Sequence, residues 1–325
     1  MNRVAVIGLG NIAIRHRRNL KILFPNTELF AMSASGRIPN DKISDCDVIA
    51  SNVEELIKAQ VELVIVASPA PFHALHSIPL IEAGIPTLIE KPVTTTIEDA
   101  NAIQQAIKLH ATPVAIGYCL RYLPSGQKLK VLLETGKLGA LYNAHIEIGQ
   151  YLPDWRPNKD FRDCVSANKS LGGGALFELS HELDYAKWLL GPLSLQHAIL
   201  RTSEELGLEV EDMADILVLT DSNAVASIHL DFLQRKAYRQ CSFVGSEGRI
   251  DWDLIKNQLI LTTATEITVL YSEPEWDKNQ MYLAMISDFV RMIEGKQHSC
   301  TEVIEATSTV DLIHKIKQQA CKKEK

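Results

Sequence analysis

The feature that most restricts this chain is a glycine turn near its start, Gly8-Leu9-Gly10-Asn11-Ile12-Ala13. It directly follows the apolar run Val4 to Ile7 and opens a helix-forming stretch from about Ile12 to Leu23. In the G-x-G-x-x-G/A pattern the first glycine permits a tight turn and the second lets a pyrophosphate approach the backbone. A small third residue, here Ala13, allows close helix-sheet packing. Such an opening demands further strand-helix units on the same sheet, and they follow. Leu29 to Met32, Val48 to Ala50, Leu63 to Ala67, Thr87 to Ile89 and Val114 to Ile116 read as strands. Between them Val53 to Ala59, Phe72 to Ala83 and Ile97 to His110 read as helices, the last begun by a Thr96/Asp99 capping box and the one before it stopped by Gly84. This alternation predicts an α/β domain with a doubly wound parallel sheet, the Rossmann dinucleotide-binding fold.

After Gly117 the pattern changes. A helix from about Ser125 to Thr135 precedes a strand from Leu141 to Gly149, then an irregular stretch from Tyr151 to Gly174 and a helix from about Ala175 to Leu190. Short β-prone runs follow at Leu195 to Thr202, Ala214 to Thr220, Ala224 to Asp231, Arg239 to Val244, Gln258 to Thr263 and Ile267 to Tyr271. Their tight turns favour antiparallel neighbours. The expectation is a C-terminal α+β domain with an open, mainly antiparallel sheet and helices on one face. The helices from about Gln280 to Glu294 and Glu302 to Lys322 close the chain, the last with a basic tail. With 325 residues, two domains are expected: 1–120 for the dinucleotide and 121–325 for substrate and self-association, the helix at about 302–322 packing back on the first.

A net charge of -7 works against nucleic acid or anionic membrane as a partner. Six cysteines without a C-x-x-C suggest neither a disulfide framework nor zinc, and no metal is expected. The start of the chain lacks a signal-peptide layout and no apolar run is long enough to span a bilayer, so a cytoplasmic location is expected.

At the end of the second strand, where an acid would grip the ribose 2'-hydroxyl of NAD, stand Ser33, Ser35 and Arg37. Two hydroxyls and a guanidinium suit a 2'-phosphate, so NADP is expected over NAD. Glu90-Lys91-Pro92 ends the fifth strand, where ligands of such sheets bind, and Lys91 can stabilise charge on a reacting oxygen. Gly172, Gly173 and Gly174 run into a helix carrying Glu178, His181 and Asp184 three residues apart. A histidine beside carboxylates is suited to proton exchange near neutral pH, though alone such a cluster is more often a polar surface. Three consecutive glycines imply that the backbone approaches something closely.

Taken in order, these motifs resemble the Gfo/Idh/MocA oxidoreductases. Further points of likeness are Ala67-Ser68-Pro69 with His73, Gly117-Tyr118-Cys119-Leu120-Arg121-Tyr122 and Trp188-Leu189-Leu190-Gly191. The resemblance covers nearly the whole chain. It implies hydride transfer between a nicotinamide and a carbinol carbon of a sugar, polyol or nucleotide sugar, with substrate between the domains and a homodimer or homotetramer formed through the sheet. It implies Lys91 at the substrate hydroxyl, His181 as acid/base, Asp184 orienting it, and a cis proline at Pro92. Gly8, Gly10, Asn11, Ile12, Ser68, Pro69, His73, Glu90 and Arg121 join Ser33, Ser35 and Arg37 as expected cofactor contacts. Trp155, Arg156 and Arg162 are read either as a substrate rim or as an ordinary packed loop. The chain departs from the family where many members have an aspartate four residues before the histidine; Phe177 stands there and Glu178 follows, which leaves the role of Glu178 open. Tyr151-Leu152-Pro153-Asp154-Trp155-Arg156-Pro157 together with Leu179-Ser180-His181-Glu182-Leu183-Asp184 looks similar to members that accompany surface-glycan and nonulosonate pathways. Two rivals remain at this stage: a cofactor-binding sensor or scaffold without turnover, and a dehydrogenase of the same fold acting on a dihydrodiol or imine.

Overall fold

The parallel sheet anticipated from the N-terminal alternation is present in the computed structural model, which describes residues 1–321. The chain divides into two units, residues 1–119 with 279–310, and residues 120–278 with the segment beginning at Asp311. In the first, β1 (Arg3–Ile7), β2 (Glu28–Met32), β3 (Val48–Ala50), β4 (Leu63–Val66), β5 (Thr87–Ile89) and β6 (Val114–Ile116) form one sheet in the order β3-β2-β1-β4-β5-β6. Every pairing is parallel. Val4 to Ile7 and Leu63 to Val66 are wholly buried, which is why these strands read as continuous apolar runs and not as alternation. The strand order reverses between β1 and β4, so a crevice opens beyond their carboxyl ends.

Helices α1 (Asn11–Leu23), α2 (Val53–Lys58), α3 (His73–Glu82) and α4 (Ile97–His110) make the crossovers. The capping box of α4 forms: Thr96 Oγ1 accepts from the Asp99 amide at 3.1 Å and donates to Asp99 Oδ2 at 2.7 Å. In α1 the buried positions Ala13, His16, Arg17 and Leu20 recur at helical spacing, so a histidine and an arginine occupy the stripe expected to be apolar.

The second unit contains α5 (Pro124–Glu134), β7 (Leu141–Gly149), α6 (Ala175–Glu178), α7 (Ser180–Leu190), β8 (Leu193–Arg201), β9 (Met213–Thr220), β10 (Val225–Asp231), β11 (Tyr238–Gly245), β12 (Gly248–Asp253), β13 (Gln258–Thr262) and β14 (Ile267–Ser272). Eight strands pair in the order β14-β13-β12-β11-β7-β10-β9-β8. All neighbours are antiparallel except β7 and β10. One strand exceeds the sequence reading, β12, whose buried Ile250 and Trp252 alternate with Asp251 and Asp253. Trp252 anchors the helical layer. Its indole donates to Ser125 Oγ at 2.7 Å, meets Tyr185 edge-on at 5.2 Å, and lies so near Gly126 that a Cβ there would sit 3.1 Å from the ring. The single helix read from Ala175 to Leu190 is broken at Leu179. The chain closes with α8 (Gln280–Ile293) and α9 (Val303–Cys321); Val303, Ala306 and Val310 of α9 join the core of the first unit. The expected basic tail from Lys322 lies outside the described residues. No helix among the described residues is long and apolar enough to cross a membrane.

On the sheet face turned away from α7, His229 lies between Asp215 at 2.6 Å and Asp231 at 3.0 Å. The Asp231 hydrogen bond, aided by Asp215 against the cost of burial, raises its pKa from 6.5 to about 9. A folded-state pKa above the unfolded one stabilises the fold fully below 6.5 and ceases to do so as pH rises through about 9. The difference in urea midpoint between the wild type and His229→Gln is therefore expected to shrink across that interval. A difference independent of pH would contradict this.

Candidate active site

At the carboxyl end of β1, Gly8 has φ +115°, and a Cβ built there would lie 2.4 Å from the Ala67 carbonyl oxygen at the end of β4. Only glycine lets these strand ends approach so closely. Gly10 caps α1 without a side-chain hydrogen bond, the first helical turn has no acid, and a Cβ on Gly10 would meet nothing within 4 Å. Free amides at the positive end of α1 beside open space fit a pyrophosphate, and exposed Asn11 and half-buried Ile12 begin that turn. Buried Arg17 supports it from behind, donating to Ser44 O at 2.9 Å and reaching Gly8 O at 3.5 Å.

The turns after β4 and β5 are tied together by His73. Its Nε2 lies 2.8 Å from Ser68 O, and its Nδ1 lies 3.0 Å from Pro92 O and 3.2 Å from Val93 O. Burial lowers its pKa against the pull of those carbonyls and Glu90. His73 thus spends its polar atoms on the chain itself. Ser68 shares a 2.9 Å hydrogen bond with His76 Nδ1, and half-buried Pro69 starts the turn that follows. Glu90 is buried beneath Lys91, within 2.6 Å of His16 Nε2, and accepts the Lys91 amide at 3.1 Å. Burial opposes its ionisation, but the His16 hydrogen bond and the nearby positive charge prevail and hold its pKa below the usual carboxylate range. Lys91 is half-buried and its bond to Pro92 is cis.

In the second unit α7 is fastened on two sides. Arg121 grips buried Asp184 with both prongs, Nε to Oδ2 at 3.0 Å and Nη2 to Oδ1 at 2.8 Å. Arg239 from β11 grips Glu182 in the same way, at 2.7 and 3.0 Å. Half-buried His181 immediately precedes Glu182, the first of the two anchored residues, so its helix has little freedom to shift. The expected stack of Glu178, His181 and Asp184 is interrupted at Leu179, and Glu178 accepts from Ser166 Oγ at 2.8 Å. Phe177 is buried beneath the Lys317 ammonium, 4.5 Å from its ring.

The glycine run does approach something closely, and it is the chain's own loop. A Cβ on Gly173 would lie 2.5 Å from Val165 O, and one on Gly174 2.5 Å from the Glu211 carboxylate. Trp155 packs edge-on against Phe232 at 5.4 Å and donates to Gln150 O, Arg156 is half-buried, and exposed Arg162 leans on Phe161 and Asp160. His16, Arg17, Glu182 and Arg239 are missing from the sequence reading. For the first two a signal existed, since they fall three and four residues after Ala13 on the sheet-facing stripe of α1.

Two family models match, one described as an oxidoreductase family with NAD-binding Rossmann fold over residues 2–118, the other as the GFO/IDH/MocA C-terminal domain over residues 127–251. The chain belongs to the Gfo/Idh/MocA oxidoreductase family. It is an enzyme, a nicotinamide-dependent oxidoreductase. Inositol 2-dehydrogenase 3 of Saccharopolyspora erythraea is 27% identical over 264 residues, 76% of this chain and 72% of that one. Levoglucosan dehydrogenase in complex with NADH superposes with a TM-score of 0.86 at 20% identity, covering 99% of this chain and 97% of the other. The WlbA dehydrogenase from Bordetella pertussis, in complex with NADH and UDP-GlcNAcA, gives a TM-score of 0.82 at 18% identity, covering 99% and 96%.

These relatives overturn the expectation of NADP: both solved structures hold NADH, and the matched Rossmann family is NAD-binding. The loop after β2 supplies a physical reason. The Ser33 and Ser35 hydroxyls lie 3.2 Å apart and bond to each other, closing a turn instead of awaiting a phosphate, while Arg37 is exposed. Fluorescence titration is expected to show tighter binding of NADH than of NADPH, with no loss in Arg37→Ala.

Breaking one side of a buried ion pair strands the other charge. Arg121→Met or Asp184→Leu alone is expected to cost about 3–5 kcal/mol in denaturant unfolding, whereas the double variant costs much less than the sum. Additive losses would show that the two side chains are not coupled.

Proposed function

We propose that this enzyme transfers a hydride between NAD and a carbinol carbon of a sugar, polyol or nucleotide sugar. The observation that carries this reading is the firm mounting of one candidate proton carrier and one candidate oxygen-stabilising cation. His181 is on a helix held by ion pairs at two buried carboxylates, and Lys91 follows a buried carboxylate at the end of β5. Matched relatives named as an inositol dehydrogenase and a levoglucosan dehydrogenase support a polyhydroxylated ring as substrate, and WlbA supports its nucleotide-linked form.

In the oxidation direction the substrate hydroxyl gives its proton to His181, and its C–H hydride goes to the nicotinamide, the acceptor that NAD supplies when bound. Lys91 donates to the oxygen as its negative charge develops. In reduction each transfer runs backward. Asp184, gripped by both prongs of Arg121, keeps the His181 helix in register. The cofactor contacts proposed are Gly8, Gly10, Asn11, Ile12, Ser68 and Pro69. Trp155, Arg156 and Arg162 are proposed to face the substrate. The open face of the eight-stranded sheet presents exposed Ile199, Leu217, Val225, Ile267 and Val269, and self-association into a homodimer or homotetramer through it covers them.

Turnover of NAD+ with a panel of inositols, anhydrosugars, free sugars and nucleotide sugars is the direct test. On the compound turned over, His181→Ala and Lys91→Ala are each expected to lower kcat by about 10²- to 10⁴-fold with NADH affinity nearly unchanged. Because both serve one transition state, the double variant is expected to lose far less than the product of the two. Normal kcat in His181→Ala would reject the mechanism.

A further inference from the structure

Behind Lys91 the first unit buries a polar cluster that the reaction scheme above does not use. His16 on α1 is fully buried and its Nε2 meets Glu90 Oε1 at 2.6 Å. A carboxylate oxygen only accepts, so the proton in this bond belongs to Nε2. Among the described residues the other ring nitrogen is buried without a hydrogen-bond partner, and the imidazole makes its polar contact with Glu90. Glu90 in turn accepts the main-chain amide of Lys91 at 3.1 Å through its second oxygen. Space around it is minimal: a Cβ on Gly117, just past β6, would lie 3.2 Å from the Glu90 carboxyl. The charged and titratable groups around this carboxylate are His16 from α1, its neighbour Lys91, His73 from α3 and Tyr282 from α8. The Tyr282 ring packs edge-on against His16 at 6.1 Å and lies under the Arg15 guanidinium at 4.6 Å. Burial first, then Cys119 and the Glu90 charge, push the Tyr282 hydroxyl far above its usual pKa, so it stays neutral and does not discharge Glu90.

We propose that His16 is a positioning residue for Lys91: by donating to Glu90 it keeps that buried carboxylate charged, and the charged Glu90 anchors the Lys91 amide and supplies a fixed counter-charge beside its ammonium. The proposal rests on Lys91 acting at the substrate oxygen. Without the His16 proton, Glu90 has lost its strongest favourable partner and retains the burial that opposes ionisation. Its pKa then rises and it takes up a proton as pH falls. The anchor loosens and the counter-charge vanishes together.

The test uses His16→Leu, His16→Gln and Glu90→Gln, each compared with wild type for melting temperature and NADH binding. Infrared titration is expected to show the C=O stretch of a protonated, buried carboxyl near neutral pH in His16→Leu. That band should be absent in the wild type and in His16→Leu/Glu90→Gln. On the substrate the panel identifies, His16→Leu is expected to lower kcat by about 10- to 100-fold, with its acid limb moved to higher pH, because a small displacement of a reacting group costs that much. His16→Gln, whose amide can still donate to Glu90, is expected to recover most of both. If His16→Leu does not fold, Glu90→Gln carries the test, since it keeps the side-chain size, removes the charge and should lose kcat by a similar factor. A His16→Leu enzyme without the carboxyl band, one with a wild-type pH profile whatever its kcat, or a Glu90→Gln enzyme with wild-type kcat overturns the proposal. Unimpaired turnover in Lys91→Ala would instead refute the role of the lysine, and the infrared result would still report on the His16–Glu90 bond.

Discussion

Every buried carboxylate near the proposed chemistry has to be matched by a donor from elsewhere in the same unit, and much of the local architecture serves that need. Glu90, Glu182 and Asp184 are each nearly or wholly inaccessible to solvent, and an unmatched charge in such a place costs several kcal/mol. His16 from α1, Arg239 from β11 and Arg121 from the turn after β6 meet them. Such pairs add little net stability over apolar packing, but they define geometry sharply. Lys91 follows one of these carboxylates and His181 precedes another, so the side chains assigned to chemistry inherit positions fixed by electrostatics instead of by soft packing.

The first unit is legible in the sequence because a parallel sheet buried on both faces writes itself as apolar runs, and its helices carry local caps. Thr96 with Asp99 is such a signal, and it forms as read. In the second unit β12 is hidden because its Asp251 and Asp253 alternate with only two core residues and it emerges straight from a glycine turn. The parallel pairing of β7 with β10 is also unreadable locally, since nothing in either strand specifies a partner so far away. The break at Leu179 is invisible to periodicity, which runs on through both helices.

The candidate site shows the same division. Residues that work through backbone geometry, Gly8 and Gly10, are recognisable from spacing alone. The glycines before α6 are recognisable as a demand for closeness, but not for closeness to the Val165 and Glu211 segments. Ser33 and Ser35 suggest a phosphate site from composition, and their bond to each other is a matter of local conformation. His16 sits in plain view on the buried stripe of α1, yet its meaning depends on Glu90, 74 residues later.

The long reach of β7 also bears on the order in which the protein acquires its shape. Its partners β10 and β11 include Ser227, which is 82 residues beyond His145. Closing such a loop brings no reward until the distant strands exist, which makes the centre of this sheet slow to assemble. Arg239, which holds Glu182, arrives on β11. The helix that carries His181 is thus locked only after the strands that follow it have been made and paired, so on a growing chain the proton carrier reaches its working posture late.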